Sequence, residues 1–280
     1  MNKANVVLFT FIKTESIDSI LSIIVKYMPE KLYLVMDQPR NSEDESHQEL
    51  LKKKIENVAN QLTINYLIPE KHIGISGIFD FALDNIFQEE ERIIILEDDT
   101  VPSFNFFQFC NQQLEIYQNN NDVTSVLGTN MMKSNSNKNE YFIATFGFPF
   151  WGWATWKSKW LAQPRTDDFF EMVNSNNNKL NEMVQTFVQT KGMNISWDVR
   201  WCLYQYLNNF KVVIPSQNMI TNTGFNQFAT FTKNQSSVFK ELPLQGNESE
   251  NWKIMDNENS KLVTEEYINQ VHFFLNEFKN

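Results

Sequence analysis

The chain has 280 residues, room for one large domain or two small ones. A hydrophobic content of 42% supports a proper core and excludes global disorder, while a net charge of −10 excludes a general nucleic-acid binder, which needs a basic surface. The same charge argues against a simple electrostatic membrane anchor, and no window reaches about 18 uninterrupted apolar residues, so no transmembrane helix is predicted.

Asn5–Ile12 is an apolar strand candidate. Glu15–Tyr27 places Ile17, Ile20, Leu21, Ile24 and Tyr27 at helical spacing on one face. Lys31–Met36 is strand-like and ends at Asp37, and Gln38-Pro39-Arg40-Asn41-Ser42 is a turn or loop. Ser42 is the expected cap of a charged helix running to about Asn60. Leu62–Leu67 alternates like a strand, Ser76–Phe87 reads as a helix, and residues 92–98 form a strand that ends in acids. Strand and helix thus alternate through the first hundred residues, which predicts right-handed crossovers and a parallel sheet covered on both faces. In such sheets ligands bind at the C-terminal strand ends, where Thr10, Asp37 and Glu97–Asp99 all fall.

Phe104–Tyr117 is a predicted helix, and Val123–Leu127 and Tyr141–Phe146 are predicted strands. Lys133–Asn139 reads as a mobile polar loop, and the Asn-rich stretch 174–181 as an exposed turn leading into a helix. Trp197–Asn208 is helical in pattern, Lys211–Ile214 is a short strand, and Thr264–Phe278 is an amphipathic helix. Residues 232–259 have no clear periodicity, as in a lid or binding loop. Of the 7 Trp, four fall at 151, 153, 156 and 160, near-helical spacing at which core packing must hold for some. Cys110 and Cys202 lack metal-site spacing and read as buried free thiols. No secretory signal pattern precedes the first strand, so a cytoplasmic protein is expected, with contact at the inner face of the membrane left open.

The run Ile93-Ile94-Ile95-Leu96-Glu97-Asp98-Asp99 is the most informative stretch. An apolar strand buried on both faces ends in three consecutive carboxylates. Buried unpaired carboxylates are costly, so such a cluster calls for a cation, and the hard ions Mg²⁺ and Mn²⁺ suit oxygen ligands. An acidic loop start is the bland alternative. Asp37 is placed to accept hydrogen bonds from a base or ribose, or equally to cap the turn at Gln38-Pro39. Neither a Gly-x-Gly-x-x-Gly nor a Walker-type loop is present.

Four segments in order resemble the GT-A glycosyltransferases, in particular bacterial nucleotide-sugar transferases similar to N-acetylglucosaminyltransferase I. Ile93 to Phe107 resembles the strand, Asp-x-Asp-type acids, Pro turn and aromatic helix of that family. Lys71 to Gly77 resembles its donor-side loop, Phe150-Trp151-Gly152-Trp153 its Trp-Gly-Trp acceptor region, and Ser196-Trp197-Asp198 its Trp-Asp. The resemblance runs from about residue 5 to 232.

It implies an α/β GT-A fold, a mostly parallel twisted sheet flanked by helices, as a single domain. Residues 1–130 would be the Rossmann-like donor half, 140–232 the acceptor half, and 233–280 a loop and C-terminal helix. The implied activity is inverting transfer of a sugar from a nucleoside-diphosphate donor, UDP first, to a glycan or lipid-linked hydroxyl in bacterial surface-polysaccharide or glycoconjugate synthesis. Thr10, Asp37, Glu97 and Asp98 would bind the donor and Asp99 the metal (Mn²⁺ or Mg²⁺). Trp151, Gly152 and Trp153 would line the acceptor, with Trp156 and Trp160 in the core. Asp198 would be the base, a role compatible with helix capping. In one departure from the family pattern, Phe231 of Ala229-Thr230-Phe231-Thr232 stands where a His is expected. Phe cannot ligate a metal, which puts strict metal dependence in doubt, and Lys233 could supply part of the missing charge. Two other readings stay open: a sugar-phosphate nucleotidyltransferase, for which Phe11-Ile12-Lys13-Thr14 offers one Lys and no Gly, and a non-catalytic carbohydrate-binding protein.

Overall fold

A computed structural model describes residues 3–132, 139–145, 147, 151–175, 197–225, 242 and 251–277. The polar loop at 133–138, most of the Asn-rich turn, Ser196, Phe231 and Lys233 lie outside the described residues, as does most of 232–250.

The first half follows the alternation seen in the sequence. It runs β1 (Asn5–Thr10), α1 (Ile17–Tyr27), β2 (Leu32–Met36), α2 (Ser42–Glu56), β3 (Ile64–Leu67), α3 (Gly74–Ile86) and β4 (Arg92–Glu97). These strands pair in parallel in the spatial order β4-β1-β2-β3. The crossovers through α1 and α2 step in one direction along the sheet, and the crossover through α3 steps back. Right-handed connections therefore place α3 on the face opposite α1 and α2. With both faces covered, β1 and β2 are buried along their whole length, which is why they read as continuous apolar runs. One boundary is corrected. Asn41, not Ser42, caps α2: its side chain accepts the Asp44 N–H at 3.0 Å, and Ser42 is already helical.

The second half is mixed. It comprises β5 (Thr100–Pro102), α4 (Phe104–Ile116), β6 (Val123–Leu127), β7 (Glu140–Ala144), β8 (Trp153–Trp156) and α5 (Lys157–Trp160). It continues with α6 (Thr166–Ser175), α7 (Trp197–Leu207), β9 (Lys211–Pro215), β10 (Ile220–Asn222), β11 (Lys253–Ile254) and α8 (Asn257–Glu277). Beyond β4 the large sheet continues β8-β6-β9-β7-β11, and β10 pairs with β5 as a separate two-stranded ribbon. Five of the eight ladders in the large sheet are parallel, so it is a mostly parallel α/β sheet with an antiparallel insertion at β8.

The Trp cluster is where the helical spacing misleads. Trp153–Trp156 is a central strand, antiparallel to both β4 and β6. Alternation sends Trp153 to one face and Trp156 to the other, where the Trp156 Nε1–H donates to the Leu114 carbonyl of α4 at 3.1 Å. The strands β5, β10 and β11 have no counterpart in the sequence reading. Each is two or three residues long, and pairing rather than periodicity makes it a strand. The C-terminal helix also starts earlier than its apolar face suggested, at Asn257. No helix among the described residues is long and apolar enough to cross a membrane.

Candidate active site

The parallel register brings the acids to the first strand. Phe9 of β1 lies opposite Glu97 of β4, so the residues that follow each are neighbours by construction. Asp98 Oδ2 accepts the backbone N–H of Phe11 at 2.9 Å and faces that of Lys13 at 3.4 Å. The Lys13 ammonium forms an ion pair with Asp99 Oδ2. Thr100 closes the turn, its hydroxyl donating to the Glu97 carbonyl and accepting the Glu97 N–H, both at 2.9 Å.

The ribbon β10–β5 then carries a second segment onto the acids. Asn222 pairs with Thr100, so residues 223–225 pass over Asp99. Thr223 donates to the Asp99 carbonyl through its N–H at 2.8 Å and its hydroxyl at 3.1 Å. Gly224 lies so close that a Cβ there would overlap the Asp99 carboxylate. Nothing local in the sequence tied Asn222–Phe225 to Asp99. Lys13 was also missed as the partner of Asp99. Its position three residues past β1 was the available clue.

Charge is under-compensated here. Burial, then the neighbouring Asp99 charge, pushes the Glu97 carboxyl up to about 8. Lys13 opposes the rise, and Asp98 and Asp198 add to it. Burial also holds Asp98 above its usual range, at about 7, although Lys13 and the two backbone N–H groups favour its ionised form. α7 begins at Trp197 and carries Asp198 in its first turn, and the Asp198 charge is among those that raise the Glu97 carboxyl.

Packing between elements sets that position. Trp197 stacks on Phe79 of α3 at 4.0 Å between ring centroids, and on Trp153 of β8 at 5.5 Å. Phe79 stacks in turn on Phe9 of β1 at 3.8 Å. A partly exposed ion network holds the same helix: Arg200 of α7 and Arg165 both pair with Asp80 of α3, and Arg165 reaches Asp84 at 2.6 Å.

The other predicted site residues divide. Thr10 sits at the β1 end, but its hydroxyl donates to the Val35 carbonyl at 3.1 Å and is buried. Asp37 is also buried, and its carboxylate accepts the N–H groups of Gln38 (2.8 Å), Ile73 (3.1 and 3.3 Å) and Gly74 (2.8 Å). His72 Nδ1 lies 3.0 Å from the same group. Of the two roles foreseen for Asp37, capping is therefore the one occupied. It staples the 72–74 loop and the N-terminus of α3, where a carboxylate is favoured. A role with a base or ribose would need some of those bonds to be given up.

The acceptor wall needs correction. Trp153 is 1% exposed and lies in the aromatic stack, because strand alternation turns it inward. Gly152 has a left-handed φ of 88°, but Ile220 Cδ1 lies 2.6 Å from where its Cβ would be. The missing side chain thus makes room for packing, not for a ligand. Trp151, at φ 60°, packs edge-on to Phe225 at 5.5 Å and is buried. Trp156 and Trp160 are buried, as expected of core residues.

The carboxylates suit a hard divalent ion, but only as part of a coordination shell. Asp98 Oδ2 is occupied by N–H groups and Asp99 Oδ2 by Lys13. Among the described residues, no three His, Cys, Asp or Glu side chains form a group that could hold a metal ion. An ion here would need oxygens from a bound ligand to complete its coordination.

No protein-family model matches the chain, and no curated protein matches it. Solved structures similar in fold include a mannosyltransferase from Pyrobaculum calidifontis in complex with GDP-Man and Mn²⁺. It is 10% identical with a TM-score of 0.41, over 74% of this chain and 69% of that one. A putative glucose-1-phosphate thymidylyltransferase from Bacillus anthracis is 7% identical with a TM-score of 0.44, over 87% and 97%. An apo UDP-glucose pyrophosphorylase is 12% identical with a TM-score of 0.40, over 76% and 90%. None of the three is of the N-acetylglucosaminyltransferase I type, and so loose a likeness distinguishes none of their reactions.

Proposed function

We propose that this chain is a transferase acting on a nucleoside-diphosphate sugar, and that it moves the sugar to an acceptor hydroxyl with inversion. The observation that supports this reading is the stack Trp197–Phe79–Phe9, which joins the start of the helix that carries Asp198 to the strand residue paired with Glu97. Single displacement needs both parts. On the acceptor side the Asp198 carboxylate takes the hydroxyl proton as that oxygen bonds to the anomeric carbon. The bond from that carbon to the diphosphate breaks, and the diphosphate leaves with the electron pair. On the donor side the leaving group gains negative charge, which the Lys13 ammonium is placed to offset. A divalent ion held by Asp99 and the diphosphate would supply further charge stabilisation there. A donor of the UDP type and a glycan or lipid-linked acceptor are the substrates that the family resemblance suggests.

The test is a thermal-shift panel of UDP, GDP and CMP sugars with and without Mn²⁺, since a ligand of the native state raises apparent stability. Transfer assays with the stabilising donor follow. Asp198→Asn should keep donor binding and lose roughly a thousandfold or more in transfer, the upper range for losing a general base. Full turnover by that variant would remove Asp198 from the mechanism.

A second reading, a sugar-phosphate nucleotidyltransferase, is favoured by one feature: the Lys13 ammonium just beyond β1, beside the acids. Pyrophosphate release from a nucleoside triphosphate and a sugar 1-phosphate would establish it. Donor binding with neither reaction would point to a carbohydrate-binding protein.

A further inference from the structure

Lys13 holds an unusual position for a lysine. It lies in the loop after β1, and its ammonium is paired with Asp99 Oδ2 beside two further acids, Glu97 and Asp98. The Lys13 and Asp99 side chains are 20% and 12% exposed, so solvent screens the pair only in part. Among the described residues, Lys13 is the cation paired with the triplet.

That ammonium and a divalent ion compete for one place. A Mg²⁺-type ion sits about 2.0–2.1 Å from its oxygen ligands. An ammonium on the same carboxylate oxygen would then lie within a few ångströms of it, and the two cations would repel. Gly224 packs against the same oxygen, because a Cβ there would overlap Oδ2. The loop 223–224 is itself fixed to the Asp99 backbone by Thr223. The lysine stem, with four flexible carbons, is therefore the part that can move.

We propose that Lys13 is a built-in counter-cation of the acidic triplet, which holds Asp99 in the ligand-free protein and must leave it before a divalent cation can bind there. In one respect this rests on the nucleotide-sugar reading above: a diphosphate is what receives the displaced ammonium. The diphosphate would bring oxygens for the ion and an anionic partner for Lys13 at the same time. Cation and nucleotide then bind cooperatively, each raising the affinity of the other by the same factor. The cation alone binds weakly, because it must first break the Lys13–Asp99 pair.

The test is Mn²⁺ binding followed by electron paramagnetic resonance, without nucleotide and then with UDP. Lys13→Met should bind Mn²⁺ alone roughly tenfold or more tightly than wild type, since a partly buried competing charge is gone. Lys13→Arg keeps the charge and should bind it weakly. Lys31→Met, which removes a lysine paired with Glu89 away from the triplet, should match wild type. UDP should tighten Mn²⁺ binding strongly in wild type and much less in Lys13→Met. Lys13→Gln, neutral but still a donor to Asp99, carries the same comparison if Lys13→Met does not fold. Mn²⁺ affinity in the neutral variants no higher than in wild type overturns the proposal. If the neutral variants gain Mn²⁺ affinity while UDP binds to no form of the protein, the counter-cation stands and the nucleotide-sugar reading falls.

Discussion

β3, β2, β1 and β4 are joined by parallel ladders with one helix per crossover, whereas β8, β6, β9 and β7 change direction and join a stack of aromatic rings through Trp153 of β8. The two regions place their functional groups by different means. In the parallel block, backbone register does the work: once Phe9 pairs with Glu97, the loop at Phe11–Lys13 must meet Asp98 and Asp99. In the mixed region, side-chain packing does it. Asp198 stands where it does because Trp197 is held between Phe79 and Trp153 and Arg200 is paired to Asp80. The donor side should therefore tolerate core changes in the mixed region, and the base should not.

Trp153→Ala tests this division most severely. Removing a buried Trp of this kind costs about 3–5 kcal/mol, to be read from urea unfolding. If the folded variant keeps wild-type nucleotide affinity while transfer falls, the two regions are separable. Equal loss of both would show that they are one unit.

Gly224→Ala acts at the seam between them. Its Cβ would collide with the Asp99 carboxylate, at an expected cost of about 1–3 kcal/mol from overpacking, together with weaker Mn²⁺ and nucleotide binding. Unchanged stability and binding would mean that the 223–225 loop moves freely over the acid.

A pH series isolates the parallel block. The Glu97 carboxyl is pushed up to about 8 from its ordinary 4.5, so between those values the folded chain keeps a proton that the unfolded chain has lost. The resulting stabilisation is fully present below pH 4.5 and is lost as pH rises through about 8. The Tm of the wild type should decline over this range more steeply than that of Glu97→Gln. Added Mn²⁺ should raise the Tm more at the alkaline end, because ligation requires deprotonated acids. Parallel Tm curves for the two proteins would show that Glu97 is not strained by its neighbours.

The smallest effect lies furthest from the seam. Asn41→Ala should cost about 1 kcal/mol by removing the cap of α2, and Ser42→Ala about 0.5 or less, both by chemical denaturation.

What was legible follows from the same contrast. The alternation through residue 97 was readable because buried parallel strands and amphipathic helices each carry a local period. The strand ends at Thr10, Asp37 and Glu97–Asp99 came with it. Trp153–Trp156 was not readable as a strand, because its burial on both faces erases the polar alternation that marks one. Nor could local pattern show that Asp37 would be taken up by the 72–74 loop, or that Gly152 would be filled by Ile220. Those outcomes depend on residues tens of positions away.

The sequence by itself determined the parallel α/β frame and the acid-ended strand, since hydrophobic periodicity acts within one segment at a time. Only the tertiary structure decided that Lys13 pairs with Asp99, that Gly224 packs against that carboxylate, that Trp153 is core, and that Trp197 stacks between Phe79 and Trp153. Each of these is a contact between segments distant in the chain. Such contacts are set by ladder pairing and shape complementarity, which leave no mark in local composition.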